Sequence, residues 1–332
     1  MAERITVIGD GAMGTVCALL LAQKGYGVTM WGHDAGQLAE FARARENTRF
    51  LPGVRVPPAV EFEADDAKCF IDTGLVVSAV PSKFLRNVWQ RLSNYLPPNT
   101  AILSVTKGIE NGTLLLPTQI LSQLTGDRPI GALSGPNIAS ELARRLPATA
   151  TVASADEGLT RSLQKIFSTA WFRVYRNNDI LGVELAGATK NVIAIAAGII
   201  DGMGLGDNAK AALLTRGLVE ITRLGVACGA RPETFAGLSG MGDLVTTCIS
   251  PSGRNRTFGQ AVGQGQSVAD ALAAIPGEVE GVSTCRSLVE LARQKQVEMP
   301  ITTSVYHILF EGRSVAETIT ELMTRRLKAE EE

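Results

Sequence analysis

One lysine, Lys190, interrupts the stretch ELAGATKNVIAIAAG (184–198), which from Leu185 onward is otherwise almost wholly small and aliphatic. Burial among Val192, Ile193 and Ile195 would disfavour the ammonium form, so such an amine could take up or release a proton near neutral pH. On this stretch alone, a lysine at the exposed edge of a buried helix, snorkelling to water, remains open. Four residues in GRNRTFG (253–259) supply two arginines and an amide, Arg254, Asn255 and Arg256. Guanidinium groups offer the planar, bidentate donors that a phosphate needs. Lys107 in SVTKGIE follows a strand pattern and is either a ligand at the sheet edge or a surface loop lysine. Asp243 in GMGDLVTTC follows a glycine-rich turn and by itself could be a helix N-cap. Thr247 lies four residues further on and brings a hydroxyl.

A second constellation sits at the N-terminus. ITVIGDGAMGTVCALLLAQKGYGVTMW places Gly9, Gly11 and Gly14 between an apolar strand and a helical pattern that Ala12 and Met13 open. In that context Gly9 allows the tight turn, Gly11 lets backbone amides approach a pyrophosphate, and Gly14 lets helix and strand pack closely. The anion then lies at a helix N-terminus, where free N–H groups and the helix dipole favour it. The second strand ends at Trp31-Gly32-His33-Asp34, without the acid that usually accepts the ribose hydroxyls of NAD. Asp34 comes late and could equally cap the next helix. His33 can donate to a 2′-phosphate, so both NAD and NADP are expected as cofactors, NADPH mildly preferred.

The elements that must hold these groups follow from periodicity. ITVIG, VTMW, GLVVSAV, TAILSV and PIGAL are short β-branched runs separated by amphipathic segments, which predicts an α/β Rossmann-type domain with a doubly wound, mostly parallel sheet. After about residue 182 the apolar residues recur at helical spacing, predicting an all-α second domain. The expected division is 1–182 for dinucleotide binding and 183–332 for substrate and catalysis.

Bulk properties narrow the function. The 332 residues are 45 % hydrophobic and 20 % charged with net charge −1, giving no field that would recruit nucleic acid or an anionic membrane. The expected partners are small molecules and a second copy of the chain. VIAIAAGII is about half the length of a bilayer span, and MAERITVIGDG lacks the apolar core of a secretory signal. Neither membrane insertion nor export is expected. Five scattered cysteines without CxxC spacing suit a reducing cytoplasm, and no ligand cluster predicts a metal. His307, in the apolar SVYHILF, reads as a core or interface histidine, and the terminal KAEEE as a solvated helix end.

Taken in order over nearly the whole chain, GDGAMGT, LSVTKGIENGT, LSGPNIASE, ELAGATKNVIAIAAGIIDGMGLGDNAKAALLTRGLVE, GLSGMGDLVTTC, GRNRTFG and VEGVST resemble the NAD(P)-dependent glycerol-3-phosphate dehydrogenase family. That resemblance implies interconversion of sn-glycerol 3-phosphate and dihydroxyacetone phosphate, a supply of precursor for glycerophospholipids, and a cytoplasmic homodimer. It implies that Lys190 is catalytic and that Lys107 stands beside substrate and nicotinamide. Asp243 would contact the substrate and the lysine network. Gly253, Arg254 and Asn255 fall on the phosphate side, with Arg254 also reaching the cofactor. Asn208 and Lys210 would complete that region, and Arg256 could instead be an ion-pair partner. Gly135, Asn137 and Ala139 would make backbone and amide contacts to substrate and cofactor. Glu280 would contact the cofactor, whereas Glu278 occupies a position where an aliphatic residue is expected. Gly253 stands where many bacterial members carry serine, which removes one hydroxyl from the phosphate side. Two rival readings are a β-hydroxyacid dehydrogenase, which also has a lysine followed by asparagine, and a non-catalytic dinucleotide-binding regulator.

Overall fold

The computed structural model describes residues 4–327 and 329. The KAEEE end therefore lies almost entirely outside the described residues. An eight-stranded sheet is built from β1 (Arg4–Ile8), β2 (Gly27–Trp31), β5 (Val60–Phe62), β6 (Thr73–Ser78), β7 (Ala101–Ser104), β8 (Ile130–Ser134), β9 (Ala148–Ala153) and β10 (Phe172–Asn177), while β3 (Glu46–Asn47) and β4 (Leu51–Arg55) form a separate hairpin. The spatial order is β10-β9-β8-β7-β6-β1-β2-β5. Chain order reverses between β1 and β6, and the crevice beyond the carboxyl ends of such strands is where open α/β sheets bind ligands. Helices α1 (Ala12–Gln23), α2 (Ala35–Ala44), α3 (Ser82–Leu92), α4 (Pro117–Thr125), α5 (Ala139–Ala143) and α6 (Glu157–Phe167) connect the strands.

The central strand reads RITVI because both faces are covered: Ile5 and Val7 are fully buried, and buried Thr6 satisfies its hydroxyl on the Cys69 carbonyl and the Thr73 hydroxyl. One ladder of this mostly parallel sheet is antiparallel, β8 with β9, Ser134 facing Thr151. Gly135, just after β8, has a φ of +137°, and a Cβ there would lie 3.1 Å from Ala150 Cα, so β9 packs closely on the end of β8 once the chain has returned through α5. Strands β5, β9 and β10 were not evident from the apolar pattern; β10 alternates buried and exposed residues at the sheet edge, and β9 is built mainly from alanine and threonine.

The remainder is helical: α7 (Ile180–Met203), α8 (Gly206–Ala227), α9 (Pro232–Ala236), α10 (Asp243–Ile249), α11 (Arg254–Gly263), α12 (Val268–Ala273), α13 (Glu280–Lys295), α14 (Pro300–Glu311) and α15 (Val315–Met323). By length and composition α7 could cross a bilayer, but 89 % of its apolar window is buried inside the fold, as expected of a core helix. It meets α11 backbone to backbone. A Cβ on Gly198 would fall 2.0 Å from the Arg256 carbonyl oxygen, and one on Gly259 would fall 2.0 Å from the Ile195 carbonyl oxygen. These glycines bring the start of α11, with its arginines, against the middle of α7.

Buried acids tie the helices end to side. Glu220 of α8 accepts the amides of Ile301 and Thr302, both at 2.8 Å, satisfying first-turn donors of α14. Glu184 of α7 similarly accepts the Thr118 amide at 3.0 Å and the Thr118 hydroxyl, holding α4 of the sheet region. Glu220→Ala leaves two buried amides without acceptors, an expected loss on the order of 3 kcal/mol. Urea denaturation should show a clearly lower midpoint, and an unchanged midpoint would refute this capping role.

Candidate active site

Two loops and two helices converge at the crevice. After β7, the loop through Lys107 is fixed by Thr106 donating to the Val80 carbonyl at 2.7 Å. It is held again by Arg86 paired with both oxygens of Glu110, at 2.8 and 2.7 Å. From the helical side, α7 presents Lys190, 6 % exposed, and a π-helical turn at Leu238–Gly242 delivers Asp243, 1 % exposed, at the first turn of α10. Lys190 Nζ donates to Asp243 Oδ1 at 2.5 Å and to the Thr247 hydroxyl. Lys107 Nζ donates to the other carboxylate oxygen at 2.6 Å and to the Gly135 carbonyl at 3.1 Å. Close approach is possible because Gly187 has no side chain: a Cβ there would sit 2.7 Å from Ser134 Oγ and 3.5 Å from Lys107 Cγ.

Two ammonium groups thus share one carboxylate. Burial pushes the Lys190 amine down to about 8; Asp243 opposes that shift and the like charge of Lys107 reinforces it. The result is an amine that exchanges a proton near neutral pH, beside an excess positive charge that favours an anionic oxygen.

The second half of the site lies at the start of α11. Arg254 is exposed and makes no hydrogen bond or ion pair among the described residues; one guanidinium nitrogen lies 2.8 Å from where a Gly277 Cβ would be. The N-cap, Gly253, supplies no side-chain bond, leaving first-turn amides open to an anion. Asn255 is buried and bridges elements, donating to Asn191 Oδ1 at 3.0 Å and accepting the Gly281 amide at 2.9 Å. Arg256 and Lys210 both pair with Asp201, Arg256 at 2.6 Å, so this arginine is held away as an ion-pair partner. Asn208 lies exposed on the first turn of α8. Glu280 opens α13 half-buried; burial raises its carboxyl, countered first by Arg254 and then by Lys107 and Lys190. Glu278 instead faces Lys83 at 3.5 Å.

Beyond β8, Gly135 forms the turn that meets Lys107, and Ala139 begins α5, half-buried. The Asn137 amide nitrogen, in the orientation its neighbours favour, faces the carbonyls of Thr149 and Pro136 at 3.3 Å each. His307 is on α14, 3.7 Å from Glu311 and edge-on to Tyr306. Sequence reasoning assigned no role to Asn191, yet its Nδ2 is buried without an acceptor, immediately beside the lysine. Its only signal in the sequence was the Lys-Asn pair. An unpaired buried donor in such a place suits an oxygen of a bound molecule.

The glycine turn fits a dinucleotide. Gly9 has φ +112° and a Cβ on Gly14 would lie 2.0 Å from the Gly9 carbonyl oxygen, whereas a Cβ on Gly11 would meet nothing within 4 Å. Two glycines are thus demanded by the fold, and the third leaves open space at the start of α1. Ala12 and Met13 form that first turn, which has no acidic residue and no side-chain cap, so its amides remain available to phosphate. His33 is exposed and edge-on to Trp31, and Asp34 caps α2 by accepting the Gln37 amide at 3.0 Å. Two cavities of about 510 and 740 Å3 lie outside the lysine cluster, lined by residues such as Leu20 and Trp171 in one and Asn178 and Arg231 in the other.

Comparison with known proteins supplies an independent finding. Residues 4–160 match the description "NAD-dependent glycerol-3-phosphate dehydrogenase N-terminus" and residues 179–320 the corresponding C-terminus. The chain is 46 % identical over 333 aligned residues to a glycerol-3-phosphate dehydrogenase [NAD(P)+] of Geobacter sp. (strain M21), covering 99 % of both proteins. A protein of the same description from Streptomyces griseus is 44 % identical over 98 % of each. Among solved structures, the glycerol-3-phosphate dehydrogenase of Coxiella burnetii superposes with a TM-score of 0.94 at 36 % identity, over 97 % of this chain and 99 % of that one.

Proposed function

The chain belongs to the NAD(P)-dependent glycerol-3-phosphate dehydrogenases and interconverts sn-glycerol 3-phosphate and dihydroxyacetone phosphate, and from that premise we propose that Lys190 is the group that moves the proton. The observation that carries this is the buried Lys190–Asp243–Lys107 cluster with its depressed amine. A dinucleotide held at the Gly9–Gly14 turn would supply the hydride acceptor for oxidation and the hydride donor for reduction. In oxidation, neutral Lys190 takes the hydroxyl proton, and Asp243 and Thr247 hold the ammonium that forms. In reduction, the ammonium donates that proton to the carbonyl oxygen, and Lys107 adds positive charge where the alkoxide develops. Arg254, with the open first turn of α11 and Gly253, binds the phosphate; Asn255 positions that turn by tying it to Asn191 and Gly281. Gly135, Asn137 and Ala139 line the substrate and cofactor edge, Gly9 to Gly14 hold the pyrophosphate, and Glu280 faces the cofactor.

The proposed division of labour is a cofactor domain of residues 1–182 and a substrate domain of residues 183–332. Five unpaired cysteines support a reducing cytoplasm. Exposed Val219 and Val226, one heptad apart on α8, support a homodimer. The product feeds glycerophospholipid synthesis. With neither a strand-end acid on β2 nor an arginine in that loop, both cofactors are used, NADPH preferred by less than ~100-fold, or about 2.7 kcal/mol.

The test is parallel recording of NADPH and NADH absorbance with dihydroxyacetone phosphate and a panel of 3-hydroxy acids. Turnover confined to the phosphotriol pair supports the proposal, and turnover of the hydroxy acids would overturn it. A pH prediction accompanies it. Since the base form of Lys190 accumulates above about 8, glycerol 3-phosphate oxidation should rise with pH up to that value, while dihydroxyacetone phosphate reduction should fall beyond it. Profiles of kcat/KM that move in the same direction for both reactions would contradict the assignment.

A further inference from the structure

The β1–α1 turn carries a carboxylate that the reaction does not use. Asp10 Oδ2 accepts the Gln37 side-chain amide at 2.9 Å and lies 2.9 Å from the point where a Cβ on Gly32 would be. Gly32 is buried directly after Trp31, the last residue of β2. The space beside this strand end is therefore filled by a carboxylate from the neighbouring turn. In dinucleotide-binding sheets an acid on β2 occupies that place and accepts a ribose hydroxyl.

The surroundings keep Asp10 fixed and largely out of water. Burial raises its carboxyl; the Gln37 bond and the positive charge of Arg49 oppose that rise, and the negative charge of Asp34 adds to it. Arg49 donates to Gln37 Oε1 at 2.5 Å, so Gln37 links a cation to the anion. Asp34 is committed to capping α2. Exposed Arg49, whose charge acts on this acid, and exposed His33, which follows Gly32, are basic side chains at this strand end.

We propose that Asp10 determines cofactor discrimination, accepting an adenine-ribose hydroxyl of NAD(H) and opposing a 2′-phosphate, with Arg49 and His33 as the counterweight. This rests on the NAD(P) assignment and adds a repulsive element to it. A sheet that takes its ribose acid from the glycine turn instead of from β2 would admit either cofactor with a small gap between them.

Asp10→Asn tests the idea, because it removes the charge and keeps an oxygen for Gln37. The readout is binding of cofactor fragments without turnover: adenosine 2′,5′-bisphosphate against AMP, by calorimetry. A like charge at close range commonly shifts an equilibrium by ~10-fold or more, so the bisphosphate:AMP affinity ratio should rise by about that factor. The NADPH:NADH ratio of kcat/KM should rise in the same sense. Asp10→Ser, which removes the charge with a smaller side chain, should reproduce both shifts and serves if the asparagine variant is poorly folded. If the affinity ratio stays within twofold of wild type or falls in the folded variants, the proposal is overturned. Failure of the enzymatic assignment is distinguishable, since it would show as absent turnover in wild type while fragment binding is still measurable.

Discussion

Lys190→Ala is expected to lower kcat by ~10²-fold or more in both directions while leaving NADPH affinity close to wild type. The substitution removes the proton carrier from α7 and leaves the β1–α1 turn, which belongs to the sheet, untouched. Loss of the amine leaves Asp243 Oδ1 with the Thr247 hydroxyl at 3.3 Å while Lys107 still pairs with Oδ2 at 2.6 Å, so the carboxylate keeps partners and the site should not collapse. Stopped-flow hydride transfer separates this chemistry from product release. A variant that kept more than about a tenth of wild-type kcat would lie outside the range for a lost general acid–base group.

Arg254→Ala should act on substrate affinity. Truncating one partner of a desolvated charge pair typically costs ~2–5 kcal/mol, which corresponds to a fall of roughly 30-fold or more in kcat/KM for dihydroxyacetone phosphate. Arg254 is suited to this role because no hydrogen bond or ion pair engages it among the described residues, whereas Arg256 is already neutralised by Asp201. The control is dihydroxyacetone without its phosphate, against which variant and wild type should be nearly equal. An unchanged kcat/KM for the phosphorylated substrate would move the phosphate role to Lys210 or Arg256 once either is released from Asp201.

What the sequence disclosed and what it hid follow from the range of the interactions. The glycine turn was legible because its geometry is local: Gly9, Gly11 and Gly14 fall within six residues, and strand and helix patterns flank them directly. Lys190 was legible as an anomaly of polarity in an apolar helix. That Asp243, fifty-three positions later, and Lys107, in the other half of the chain, share its charge depends on how α7 and α10 pack against the sheet, which no periodicity encodes. The same holds for Asn255, whose amide joins α7, α11 and α13, and for Asp10, which fills a place that local reading of β2 left empty. The antiparallel β8–β9 ladder was hidden because β9, built mainly from alanine and threonine, carries no β-branched apolar run to mark it.

The central claim is that the Lys190 amine is poised by burial and by Lys107 to change protonation near neutral pH. Its most direct measurement is the titration of the lysine side chains by 13Cε NMR of selectively labelled protein, with the Lys190 resonance identified by its loss in Lys190→Arg. A midpoint of about 8, well below the ordinary lysine value of 10.5, is the predicted result. A resonance that stays protonated up to the ordinary value would show that Asp243 clamps the ammonium, and would contradict the proposed role of Lys190 as proton carrier.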